Sequence, residues 1–370
     1  MSVSPPWKVP YISLKREFLE LQREILDAVG QVLSAGDFIL RSQVAEFEQT
    51  VAARFGFFGV VGLNSGTDAL LFATRVANVG PGAEVITTAH TFVATLASIV
   101  HVGARPILVD IGDDYNINPA LIRKAVTPRT RAILPVHMNG RVCQMDEILA
   151  IAEEYDLVVI EDAAQAIGAR YKNKPAGSFG RFGCFSLHPM KILGGAGDGG
   201  FITVRAPADL QAIRLLRNHG QVTKEKIATY GFNSRLDNLQ ATVLNAKLPH
   251  LEARIARRRE IAARYNAGLK PIAHLRLPPY PDDDHHDVYS SYVIACPRRD
   301  DLAAHLQRRS IEVMIHWPTP LHLQEGLGLP KVSLPATEKV SREVLSLPIY
   351  PELMDHEQDY VIDCIRELLR

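Results

Sequence analysis

Between residues 57 and 205, short apolar runs alternate with stretches whose apolar positions recur every three or four residues. The runs "FGVVGLN", "AEVITTA", "RPILVDI", "RAILPVHM", "LVVIEDA", "FGCFSL" and "GGFITVR" are brief and mostly rich in β-branched or aromatic residues, which predicts buried strands. Between them, "SGTDALLFATRVA", "TFVATLASIVHVG" and "CQMDEILAIAEEYD" carry the helical period. Two more helical patterns open the chain at 16–34 and 42–56, the second ending on Gly56 as a C-cap. This alternation predicts a three-layer α/β/α domain built on a mostly parallel sheet.

From 238 to 270 the pattern becomes one long helix, which Pro249 is expected to kink or divide. Beyond it the signals are sparser and predict a smaller C-terminal α+β domain. The chain is therefore read as an N-terminal segment with a large domain over 1–250 and a small domain over 251–370. No internal repeat is visible.

Composition adds exclusions. Forty-one basic side chains balance forty-one acidic ones, so a nucleic-acid partner is not expected. Four scattered cysteines without CxxC spacing argue against a disulfide framework or a zinc site. No stretch reads as a signal peptide or a membrane span, which predicts a soluble cytoplasmic protein. The run "DDDHHD" at 282–287 offers metal-ligand types, but adjacent ligands in a charged loop read better as a solvated surface.

In sheets of this kind ligands sit at the carboxyl ends of the strands. Candidate chemistry falls there: Gly66 and Thr67 after one strand, His90 to Phe92 after another, Asp162 and Lys191 after two more. "NSGTDALL" turns on glycine into a helix, so its free N–H groups, with the Ser65 and Thr67 hydroxyls, suit a phosphate. Asp162 reads either as a helix cap or as the anion that keeps a pyridinium protonated. Lys191, among small residues and followed by five glycines within 194–200, reads as a Schiff-base lysine. Ser186 offers another hydroxyl. Phe92 by itself reads as core, or else as a ring stacked on a planar cofactor.

Together the strings "NSGTDALLFA", "VVIEDAAQAIGARY", "FSLHPMKILGGAGDGGFITV", "RNHG", "GFNSRLDNLQATVLNAKL", "HWPTPLH" and "LSLPIYPEL" resemble the DegT/DnrJ-type sugar aminotransferases, from about residue 10 to the C-terminus. The resemblance implies a pyridoxal 5'-phosphate enzyme of fold type I, in the aspartate aminotransferase superfamily, and typically a homodimer with shared active sites. It also implies roles. Lys191 carries the cofactor and moves the proton, Asp162 faces the pyridine nitrogen, and Gln165 lies near the phenolic oxygen. Gly66, Thr67 and Ser186 hold the phosphate, Phe92 stacks on the ring, and Asn233 reaches the phosphate of the neighbouring subunit. His322 and Arg235 fall where relatives contact the sugar nucleotide.

The expected reaction moves an amino group from glutamate to a keto-deoxy sugar on a nucleotide diphosphate. Asp198 in "GDGG" points to carbon 3 of the sugar. Alternatives are an inositol-like cyclic ketone as acceptor, or a dehydratase of the same fold. The latter carries histidine in place of the lysine, whereas His188 here lies three residues early. Some relatives were first proposed as transcription regulators, but no helix-turn-helix or basic arm is recognisable.

Overall fold

The computed structural model describes residues 7–279 and 282–369. The predicted runs become β1 (Gly59–Leu63), β2 (Glu84–Thr88), β3 (Arg105–Val109), β4 (Thr130–Ile133), β5 (Val158–Asp162), β6 (Phe182–Ser186) and β7 (Gly200–Val204). They form one sheet in the order β1-β7-β6-β5-β4-β2-β3. β7 pairs antiparallel with both β1 and β6, and the other pairings are parallel. The carboxyl ends of the six like-directed strands therefore share one edge with the start of β7.

Successive strand residues point to opposite faces, and each face has its own core. Val60, Ile86, Ile133 and Val159 bury against α2 (Ser42–Phe55) and α6 (Met145–Glu154). Their neighbours Val61, Val85, Ala132 and Ile160 bury against α3 (Gly66–Val76), α4 (Val93–His101) and α7 (Pro207–Arg217). Two-sided burial explains why the strands read as continuous apolar runs rather than alternating ones. A short α5 (Pro119–Ala125) lies between β3 and β4.

α1 (Leu14–Ala35) lays Leu21 and Ile25 on Val243 of α8 (Asn238–Lys247). Pro249 does divide the long helical pattern: a 3₁₀ turn at Leu248–His250 separates α8 from α9 (Leu251–Leu269). A further core gathers Ile261, Tyr265 and Leu269 of α9 with α10 (Arg299–Arg308) and α12 (Asp355–Leu369). It also takes in the antiparallel pair β8 (Tyr292–Ala295) and β9 (Val344–Leu347). Before β9 runs α11 (Pro335–Glu343). Val9 joins this core and bridges to Ile311, so the N-terminal stretch crosses to the C-terminal elements.

The "DDDHHD" run is not simply a hydrated loop. Asp282 and Asp287 grip the Arg141 guanidinium at 2.5 and 2.7 Å, and Asp287 is buried. Its charges tie the C-terminal part to the large sheet. Among the described residues no helix is long and apolar enough to cross a membrane.

Candidate active site

A cavity of about 570 Å³ opens at the carboxyl edge of the sheet. Seven of the ten expected residues line it: Gly66, Thr67, Phe92, Asp162, Gln165, Ser186 and Lys191.

Ser65 caps α3, its hydroxyl accepting the Asp68 N–H at 3.1 Å. The cap uses only an acceptor lone pair, so the Ser65 hydroxyl keeps its proton for an anion in the cavity that it lines. The N–H groups of Gly66 and Thr67 belong to the first turn, where a helix has no internal acceptor for them. With the macrodipole they make a positive corner for an anion. Ser186 closes on it so tightly that a Cβ on Gly66 would stand 2.9 Å from the Ser186 Cβ. Gly200 is required for the same reason, since a Cβ there would come 2.3 Å from the backbone of Ser65.

Five glycines follow Lys191 within 194–200. Most of them clear space for the chain itself: a Cβ on Gly194 would meet the Pro189 carbonyl at 2.4 Å, and Gly195 and Gly197 lie against Gln240. Only Gly199 of the five lines the cavity, beside Asp198.

Asp162 ends β5 buried at the base of the cavity, 5% exposed. Thr95 donates to its Oδ2 at 2.8 Å, and the Ala164 N–H approaches Oδ1 at 3.2 Å. Thr91, a cavity residue, bonds Thr95 at 2.7 Å, so a hydroxyl chain orients the carboxylate. Burial pushes this carboxyl above the ordinary aspartate range, against the Thr95 and Ala164 bonds and the Lys191 charge. Burial likewise pulls the Lys191 amine below the ordinary lysine range, with Asp162 opposing. The carboxylate is thus short of positive charge, and the amine is easily made neutral.

Gln165 has its Oε1 tied to the Asn139 N–H at 2.9 Å, which leaves its NH2 end as the donor for the cavity. Phe92 is not core: at the N-cap of α4 it stays 60% exposed and forms part of the wall.

Three expected residues are not in the lining. Asn233 is exposed, in a segment that also presents Val222, Ile227 and the 90% exposed Tyr230. Arg235 bonds the Asn218 side chain at 3.2 Å. His322 is buried, with Nε2 3.3 Å from Glu338, and so does not stand where a ligand in this cavity could touch it. Its motif neighbours His316 and Trp317 do line the cavity. Ser346 bonds His316 Nδ1 at 2.7 Å, and burial, aided by the Lys191 charge, holds the imidazole at about 4 and therefore neutral.

Sequence reasoning also missed Tyr11, Arg258, Ser290, Ser291 and Met314, which complete the far wall. His316 and Trp317 lay inside a string already singled out, "HWPTPLH". The others carry no local signal, because they reach the cavity only through the crossing of Val9 and the fold of the C-terminal part.

These residues fit a phosphorylated pyridine: a helix start with hydroxyls for the phosphate, a buried carboxylate lacking a cation, and an amine in the same cavity.

Comparison with known proteins agrees with this chemistry. The model of the DegT/DnrJ/EryC1/StrS aminotransferase family matches residues 19–366. A dTDP-3-amino-3,4,6-trideoxy-alpha-D-glucose transaminase of Streptomyces venezuelae is 40% identical over 365 residues, covering 97% of this chain and 96% of that one. A UDP-N-acetyl-3-dehydro-alpha-D-glucosamine 3-aminotransferase of Acidithiobacillus ferrooxidans is 41% identical over 364 residues, covering 98% of each. Among solved structures, S. venezuelae DesV in complex with a ketimine intermediate superposes with a TM-score of 0.95 at 39% identity, over 99% of both chains.

Proposed function

Because the chain belongs to the DegT/DnrJ/EryC1/StrS aminotransferase family, and is a pyridoxal-phosphate-dependent aminotransferase, we propose a specific reaction for it. It carries an amino group from glutamate to carbon 3 of a keto-deoxy sugar linked to a nucleoside diphosphate. The observation that carries this reading is the meeting of Lys191 and Asp162 with the start of α3 in one cavity.

Pyridoxal phosphate, when bound, supplies an electron sink for the carbanion left by breaking a C–H bond beside an amine. The rest falls to the chain. Gly66, Thr67 and Ser186 would hold the phosphate; Asp162, kept in place by Thr95, would pair with the ring nitrogen; Phe92 would stack on the ring; and the Gln165 NH2 would donate to the phenolic oxygen. Lys191 would bind the cofactor and then, as a free amine, take a proton at Nζ from the donor carbon and deliver it to the cofactor carbon that it had held. A lysine can do this because burial lowers the amine's proton affinity and so favours its neutral form. The neutral His316 and Trp317 shape the space left for the sugar.

Support for carbon 3 comes from Asp198 at the cavity wall and from relatives whose names specify 3-amino or 3-dehydro sugars. Exposed Asn233, next to exposed apolar side chains, fits a homodimer in which Asn233 of the partner subunit reaches the phosphate, with Arg235 close behind. The test is a two-step turnover. Glutamate should bleach the holoenzyme's visible absorbance, and a 3-keto nucleotide sugar should restore it. Recovery with only 4-keto sugars or with free cyclic ketones overturns the assignment.

A further inference from the structure

The loop carrying Lys191 is nearly a closed ring, and one buried lysine outside the cavity holds it shut. Leu187 O accepts the Gly195 N–H at 2.8 Å, and His188 O accepts the Lys191 N–H at 2.8 Å. Lys191 therefore sits mid-loop, placed by whatever fixes the returning strand. Two side chains of α8 do this. Gln240 Oε1 accepts the Ala196 N–H at 2.8 Å, and Lys247 Nζ donates to Gly194 O at 2.6 Å. They are seven residues apart, two helical turns, and so lie on one face.

Lys247 is costly where it stands. Its side chain is only 7% exposed, and a buried ammonium needs compensation. That comes from a chain of alternating charges across three elements. Glu17 of α1 pairs with Lys247 at 2.7 Å and with Arg254 of α9 at 3.2 Å, and Arg254 pairs with Glu352 at 2.7 Å. Glu352 follows Ile349, a wall residue of the cavity. Directly behind Lys191, a void of about 10 Å³ touches Glu17, Arg254, Glu352 and Lys191 itself. A methionine would fill the Lys247 site without needing that chain, but it could not hold the Gly194 carbonyl.

We propose that Lys247 is a positioning residue for Lys191: its ammonium, anchored through Glu17 and Arg254, fixes the Gly194 carbonyl and so sets the depth and aim of the Lys191 amine. The proposal rests on Lys191 being the reactive lysine, and its first test is made without cofactor so that the two ideas fail separately.

In the apoenzyme, trinitrophenylation of Lys191 by trinitrobenzenesulfonate, in which the neutral amine displaces sulfite from the ring, read by peptide mass spectrometry across pH, should show a midpoint below that of an ordinary lysine. Lys247→Met should raise that midpoint, because a loosened loop lets the amine out of its buried position. Asp162, His316 and Arg258 face Lys191 from the cavity, and Glu17, Arg254 and Glu352 face it across the small void; all of them keep their charges, and only the Lys247 charge is lost. Amide exchange over 191–197 should quicken by about tenfold while α6 is unchanged. In the holoenzyme kcat should fall about tenfold with the donor KM within about twofold, and Lys247→Gln, which keeps a donor, should recover most of it. An unmoved midpoint and kcat, or exchange that quickens throughout the chain, overturns the proposal. Should Lys247→Met not fold, Glu17→Gln should raise the midpoint by a smaller amount, and no shift there overturns it equally. A wild-type holoenzyme lacking visible absorbance would count against the role of Lys191, not against the loop clamp.

Discussion

The two walls of the cavity are built in different ways. The wall with Asp162, Ser186, Lys191 and the start of α3 consists of strand ends and the turns that follow them, all within one sheet. The opposite wall, with Tyr11, Arg258, Ser291, His316 and Trp317, is brought in from the N-terminal stretch, α9 and the C-terminal core. The first wall is rigid because each strand is buried on both faces. The second can be altered by changes in elements that never touch the sheet. We read the first as the site of the shared chemistry and the second as the site of substrate choice.

The sharpest way to break that division is at Lys191. Lys191→Ala should abolish the holoenzyme's visible absorbance and lower transamination by about 10,000-fold. Survival of both in a titrated, folded variant would remove the first wall's assigned role. Asp162→Asn comes next, with an expected loss of about a hundredfold or more in the proton-transfer half-reaction. The same change should raise the melting temperature of the apoenzyme near neutral pH, since it removes a carboxylate that burial disfavours. A fall in melting temperature would show that the Thr95 and Ala164 bonds outweigh the burial.

Trp317→Ala tests the other wall. It should raise the KM for the sugar about tenfold while leaving absorbance and the glutamate half-reaction unchanged, and a spectral change would merge the two walls.

The smallest effect concerns His90, packed edge-on to Trp317 at 5.3 Å. Burial, aided by His316 where that imidazole is itself protonated, holds His90 at about 4, like His316. Unfolded imidazoles titrate near 6.5, so below that pH the unfolded chain takes up protons that the folded chain refuses. Stability should therefore fall as pH drops from about 6.5 toward about 4, and His90→Asn should flatten that slope in urea melts. An unchanged slope would mean that His90 is already charged in the fold.

How much of this was legible in the residues differs between the walls. "NSGTDALL", "VVIEDAAQ" and "FSLHPMKILGGAGDGG" each combine a strand, its turn and its reactive group within a few residues, so local pattern located the chemistry. In the string that offered His322, the 3₁₀ turn at Leu321–Leu323 buries that residue against Glu338, while His316 faces the cavity. Phe92 by itself read as core or as a ring stacked on a planar cofactor, and local pattern did not decide between them. Here the helix starts at the sheet edge and leaves the ring in the opening.

The sequence by itself determined the strands and placed a candidate lysine and carboxylate at their ends, because those depend on residue type and short-range order. Only the tertiary structure decided what the glycines serve, which residues close the far side, and that a buried Lys247 steadies the loop. Those outcomes depend on distances between segments far apart in the chain, and no local period or spacing encodes them.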